Sequence, residues 1–94
     1  MFSFDQAKTL AEEAVAALAA ANEAEFVLIH EATVEIKEGW IFFYNSREFV
    51  ETGAFSASLL GNGPIFIDRG GVLRWLPTAG PWQEAIRDKW WSSS

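Results

Sequence analysis

Few side chains in this chain have the chemistry for catalysis, and their spacing assigns none of them to it. His30 is the only histidine and there is no cysteine. A zinc site would therefore need carboxylates to complete it, against the usual preference for nitrogen and sulfur ligands. Ser46, Ser56 and Ser58 have no evident base and orienting partner, and no G-x-S-x-G elbow is present. Glu48 and Glu51, three residues apart, share a helical face. Paired carboxylates do acid–base or glycoside chemistry only across a cleft at a set separation, and a solvated face accounts for this pair without one. Gly61-Asn62-Gly63 has neither P-loop nor dinucleotide-fingerprint spacing and no helical pattern follows it, so it reads as a turn and not as a phosphate nest. Trp40, Phe42 and Tyr44 fall on one face of a strand, as aromatic residues do in proteins that stack bases or sugars. Single-strand binders also need a positive groove, and this half of the chain is acidic. Core packing is the simpler account. The chain is read as not an enzyme, with no catalytic residue, no metal and no cofactor.

The elements that position these residues follow from periodicity. Ser3 and Gln6 have capping-box spacing, in which each side chain satisfies a backbone N–H of the other residue. Behind them Ala7, Leu10, Ala11, Ala14, Val15, Leu18 and Ala21 form one apolar helical stripe, with Asn22 as the stop. From Phe26 the period becomes two. Residues 26–30 and 33–37 read as one strand, Glu38-Gly39 as a turn, and the aromatic run 40–44 as a central strand covered on both faces, the whole forming a hairpin near 26–37 and 40–45. The stretch 45–63 is irregular, with a helical turn at 47–51, a break at Thr52-Gly53, a second helical turn at 55–60 and a forced turn at 61–64. A second hairpin is expected near 64–68 and 72–76 around Asp68-Arg69-Gly70-Gly71. Pro81 at the first helical position opens a last helix with Trp82, Ala85 and Ile86 on one face, a face that Trp90 can extend. Adjacent helical residues point about 100° apart, so Trp90 and Trp91 cannot both be buried in one stripe, and Ser92 to Ser94 read as a frayed tail. The fold class is α+β: an N-terminal helix, an antiparallel sheet of about four strands built from two hairpins, and a C-terminal helix, in a single domain over residues 1–94.

Composition bounds the function. Half of the 94 residues are hydrophobic, too many for a disordered chain, and without disulfides such a small domain depends on dense packing of its eight Phe and five Trp. No signal segment is evident. The longest uncharged stretch of the N-terminal half, Ala14 to Asn22, is about half of the ~18–20 residues that span a bilayer, so the chain is read as cytoplasmic with no membrane partner. Charge is unevenly spread: residues 1–51 hold ten acids against Lys8, Lys37 and Arg47, net −7, and residues 52–94 hold three acids against four bases, net +1. That balance argues against a nucleic-acid partner, which needs clustered Lys and Arg. It suits a basic protein, although acids also keep a Trp-rich domain soluble, and charge alone favours that second reading.

Gly39-Trp40-Ile41-Phe42-Phe43-Tyr44-Asn45-Ser46, then Gly53, then Gly61-Asn62-Gly63-Pro64 with Asp68 beyond, resembles the immunity protein 35 family, the YrhB-like domains. The opening amphipathic helix and the closing Thr78 and Pro81 fit the same pattern. The resemblance implies an immunity protein of a bacterial polymorphic toxin system that binds and neutralises a cognate toxin domain. The alternative is a chaperone-like holdase for unfolded or partly folded protein, and homo-oligomerisation stays open. Joined to the charge map, it points to a toxin with a basic surface, met by exposed acids in and around the first hairpin: Glu31, Glu35, Glu38, Glu48 and Glu51. Glu31, Glu35 and Lys37 share one parity if their strand runs without a bulge.

Overall fold

The computed structural model of the protein describes residues 2–54, 56, 63–78 and 80–89. All but residue 56 of the second helical turn expected at 55–60, the first half of the turn at 61–64, the placement of Trp90 and Trp91 and the serine tail lie outside the described residues.

The capping box forms as its spacing requires. The Ser3 N–H donates to Gln6 Oε1 (2.8 Å) and the Gln6 N–H to Ser3 Oγ (3.2 Å), which satisfies two of the N–H groups a helix start leaves open. Helix α1 then runs Phe4–Ala21 and stops at Asn22, whose side-chain amide donates to the Leu18 carbonyl. Its fully buried residues are Ala7, Ala11, Val15 and Ala19, a strict four-residue run. Ala21, expected in the stripe, is exposed: six residues past Val15 it stands about 240° around the helix from it. Small side chains on the buried line let α1 lie close to the sheet.

Strand β1 is Phe26–Leu28, β2 Val34–Ile36, β3 Gly39–Phe42, β4 Tyr44–Ser46, β5 Ile65–Asp68 and β6 Leu73–Trp75. All pairings are antiparallel. β2-β3-β5-β6 form one sheet, and β1 pairs β4 beside it. The first expected hairpin is present, but neither of its arms is one straight strand. A single 3₁₀ turn, His30–Ala32, divides β1 from β2, and Phe43 divides β3 from β4; the Ile29 N–H to Phe43 carbonyl bond (2.8 Å) ties the two interruptions together. Glu31 therefore leaves the strand, and the shared parity of Glu31, Glu35 and Lys37 does not hold.

Gly39 belongs to the strand and not to the turn. It pairs with Asp68, and a Cβ there would overlap the Ile67 carbonyl oxygen and stand 2.7 Å from Asp68 Cα. Glycine is what permits β3 and β5 to approach so closely.

Alternation along β3 and β5 divides the core into two layers. Trp40, Phe42, Tyr44, Ile65 and Ile67 meet Ala7, Ala11 and Val15 of α1. Ile41, Phe66 and Leu76 face the other way, against Ala85 and Ile86 of helix α3, Trp82–Asp88. The central strand is covered on both faces. Pro81 stands one residue earlier than expected, as the N-cap of α3, its carbonyl accepting from the Glu84 N–H.

Candidate partner-binding surface

Helix α2, Arg47–Thr52, carries two of the five expected contact acids. Ser46 starts it by accepting the Phe49 N–H on its Oγ (3.1 Å), and Gly53, at φ 72°, ends it in the left-handed conformation. Ser46 is thus a cap, a structural task that explains the residue without chemistry. Over this one-and-a-half-turn helix Glu48 and Glu51 are both exposed. They line a shallow cavity of about 580 Å³ together with Glu25, Phe26 and Arg47.

Arg47 holds that cavity's wall together. Its Nε reaches Glu51 Oε2 at 3.1 Å and its Nη1 reaches Glu25 Oε2 at 3.4 Å. The hydrogen bond it donates to Glu51, then the charges of Glu51 and Glu25, raise the pKa of the guanidinium above its ordinary value. All three groups are more than half exposed, so the pairs add little to stability. They matter for placement, because one arginine holds two carboxylates beside the cavity and the trio keeps a net charge of −1. Glu51 is therefore an ion-paired acid. No ion pair to Glu48 is formed among the described residues.

The hairpin acids stand elsewhere. Glu35, on β2 directly opposite Trp40, is bound by Arg69 Nη1 at 3.0 Å. The same guanidinium donates from Nη2 to the Ile36 carbonyl (2.6 Å) and from Nε to the Lys37 carbonyl (3.3 Å), while its carbon lies 4.5 Å from the centre of the Trp40 ring. Arg69 clamps the β2–β3 turn onto the start of the β5–β6 turn. Its own N–H donates to the carbonyl of Glu38 (3.1 Å). Glu38 borders a second cavity, of about 470 Å³, shared with Asp68, Arg69, Arg74 and Lys89. Glu31 is exposed on the 3₁₀ turn. The five acids are all at the surface, but they do not form one site: Glu48 and Glu51 gather with Glu25, whereas Glu35 and Glu38 sit on the arginine clamp.

Asp68 organises the second turn. Its Oδ1 accepts the N–H groups of Gly70 (2.9 Å) and Val72 (3.0 Å), and its Oδ2 accepts Arg74 Nη1 at 2.7 Å. Partial burial opposes ionisation of this carboxyl. The hydrogen bond from Arg74 and those from Val72 and Gly70 outweigh it and hold the pKa below the ordinary 3.8. The sequence marks these residues only as a turn by composition. Their clamp became visible with the register, because Arg69 and its acceptors lie more than thirty residues apart. Glu25 was also missed, and its signal was the Arg47–Glu51 spacing of four, which places a cation where a third acid can join.

Among the described residues no three His, Cys, Asp or Glu side chains are grouped so as to hold a metal ion. His30 is exposed. No described helix is long and apolar enough to cross a membrane.

Comparison with known proteins adds what geometry cannot. The sequence model of immunity protein 35 matches residues 5–90 of the chain. Over 52 residues the chain is 44% identical to the uncharacterised protein YrhB of Escherichia coli strain K12, a match that covers 54% of this chain and 55% of that protein. It thus spans about half the length of this curated relative. No solved structure matches the chain.

Proposed function

The chain belongs to the immunity protein 35 family, and on that premise we propose that it is a cytoplasmic immunity protein of a bacterial polymorphic toxin system, one that binds and neutralises a cognate toxin domain with a basic surface. The observation that carries this reading is the family match over nearly the whole chain. The charge map supports it: acids on α2, on the 3₁₀ turn and around the first hairpin give the partner a negative surface to approach. Such a surface speeds encounter with a basic cleft and can occupy it in place of an anionic substrate. A stable complex buries on the order of 1,200–2,000 Å² in total. Glu48 is the strongest candidate contact, being exposed with its charge uncompensated by an ion pair among the described residues. Glu31, Glu35, Glu38 and Glu51 contribute to the field around it.

The reading is tested by expressing the products of the neighbouring genes one by one, of which one should arrest growth, and co-expressing that one with the protein. Growth should be restored by the wild-type chain and weakened when Glu48 and Glu51 are both replaced by Lys. No rescue by the wild-type chain would refute it.

One observation favours a second reading, a holdase for partly folded protein. Phe4, Val50, Val72 and Trp75 remain 39–49% exposed. They stand on four different segments, and single exposed apolar residues are ordinary. Strong binding of an apolar-surface dye by the folded protein would support the holdase, and weak binding would exclude it.

A further inference from the structure

The geometry of β1 points to how a partner is held: we propose that its free edge adds an extended, basic segment of the partner as a further strand. This inference rests on the chain's being a protein-binding immunity protein, and it names the chemistry of the segment bound.

The free edge follows from the register. Glu25 accepts the Arg47 N–H on its carbonyl, Val27 stands opposite Asn45, and the Ile29 N–H donates to Phe43. These odd-numbered residues turn their backbone groups toward β4. Successive residues of a strand alternate, so the N–H and C=O groups of Phe26 and Leu28 point away from β4. β1 has no second neighbouring strand among the described residues. Unpaired edges of this kind template the addition of another chain.

The space beside that edge is concave and acidic. Two cavities of about 340 and 250 Å³ run along it and a third, of about 580 Å³, adjoins them at the start of β1; each includes Phe26 in its lining. The 340 and 250 Å³ cavities share Ala16 and Val27 and form a trough between β1 and the flank of α1, and the 580 Å³ cavity, which shares Glu25 and Arg47 with the 340 Å³ one, continues it past the start of β1 onto α2. Ala16 and Ala20 make the α1 wall, both small and exposed, which leaves room for a backbone. Glu12 and His30 stand at one end, Glu48 and Glu51 at the other, and Glu25 between. Four carboxylates against one guanidinium select a segment bearing Lys or Arg, while the apolar stretch at Val27 takes an apolar side chain.

The test uses a fluorescent peptide of about twelve residues, alternating Lys and Val, and the same peptide N-methylated at each Val. The parent peptide should bind, and its affinity should fall as salt rises. It should slow hydrogen exchange at the Phe26 and Leu28 amides, with little change at Val27 and Ile29, which are turned to β4 already. The N-methylated peptide should bind at least about tenfold more weakly. The variant A16R/A20R fills the trough with bulk and like charge at exposed helix positions, and it should lose affinity to a similar extent without a change in melting temperature. Absence of binding by the parent peptide, equal binding by the methylated one, or protection that falls on β2 or β6 overturns the inference. The N-methylated peptide decides the matter even if A16R/A20R does not fold. An A16R/A20R protein that still protects cells in full would refute the trough as the toxin's contact while leaving the immunity reading intact. Peptide capture by a chain that rescues no toxin would do the reverse.

Discussion

Replacing Trp40 by alanine should destabilise the fold by about 3–5 kcal/mol, the usual cost of truncating a large buried aromatic. Its side chain is 2% exposed and lies under α1 beside Phe42, Ile65 and Ile67. It also gives up the contact with the Phe2 ring (centroids 6.4 Å apart) and the platform beneath Arg69, the latter worth about 0.5–1 kcal/mol where the cation is partly exposed. One effect runs the other way. The indole Nε1 is buried with no hydrogen-bond partner among the described residues, and an orphaned donor costs about 1–3 kcal/mol. Removing it recovers part of the loss, which keeps Trp40→Ala within the range and not above it. Trp40→Phe isolates that effect: the variant keeps a ring under Arg69, loses some packing volume and also loses the orphan donor. Its cost should be under about 2 kcal/mol. Equilibrium urea unfolding followed by far-ultraviolet circular dichroism measures both variants. A small domain has a slope near 1 kcal/mol per molar urea, so the alanine variant should shift the midpoint by several molar, enough to leave it barely folded given the about 5–15 kcal/mol typical of domains. A midpoint that barely moves in Trp40→Ala would refute the burial of β3. Equal losses in the two variants would show that the indole N–H has a partner after all.

Gly39→Ala should destabilise by about 1–3 kcal/mol or more, as overpacking does, because the new methyl has only backbone of β5 to meet; a chemical midpoint equal to wild type would contradict that close approach. Asp68 titrates with a folded pKa below its ordinary value, so its contribution is fully present above about pH 4 and is lost as pH falls through the lowered value. Stability measured against pH should therefore decline below about pH 4 more steeply in the wild type than in Asp68→Asn, which should already be less stable at pH 7; parallel profiles would show that the Arg74 pair does not bias ionisation. Chelator treatment should leave the melting temperature unchanged, and a drop of several degrees would reveal an oxygen-ligand metal site among the glutamates.

The parts of the fold legible in the sequence are those fixed by near neighbours. Ser3 and Gln6 announce a cap because the bonds they make span three residues. Trp40, Phe42 and Tyr44 announce one buried face, and Ile41 the other, because strand alternation is local. The pairing of β3 with β5 joins residues more than twenty positions apart, and no periodicity encodes it. The roles of Gly39 and Arg69 depend on that pairing: one is the point of closest approach and the other a clamp, and both read beforehand only as members of turns. The 3₁₀ turn at His30–Ala32 escaped notice because His30-Glu31-Ala32 contains neither Gly nor Pro to mark a break. The candidate surface was legible in kind and not in arrangement. Exposure of Glu31, Glu35, Glu38, Glu48 and Glu51 follows from their charge, whereas the joining of Glu25 to α2 through Arg47, and the separation of Glu35 onto Arg69, needed the tertiary structure.

The proposed function turns on an acidic surface of this immunity protein 35 family member meeting a basic toxin. The association rate constant with the toxin domain that the protein neutralises in co-expression, measured by stopped flow across ionic strength for the wild type and for E48K/E51K, tests it most directly. Both sites are exposed and the Arg47–Glu51 pair is solvated, so stability should change by about 1 kcal/mol or less in that variant, and E48K alone, which breaks no ion pair among the described residues, serves as the control. The wild-type rate should fall steeply as salt rises and the Debye length contracts below about 10 Å. The charge-reversed protein should associate more slowly at low salt and approach the wild type at high salt. Equal rates for the two proteins, indifferent to salt, would contradict the acidic surface as the site of recognition.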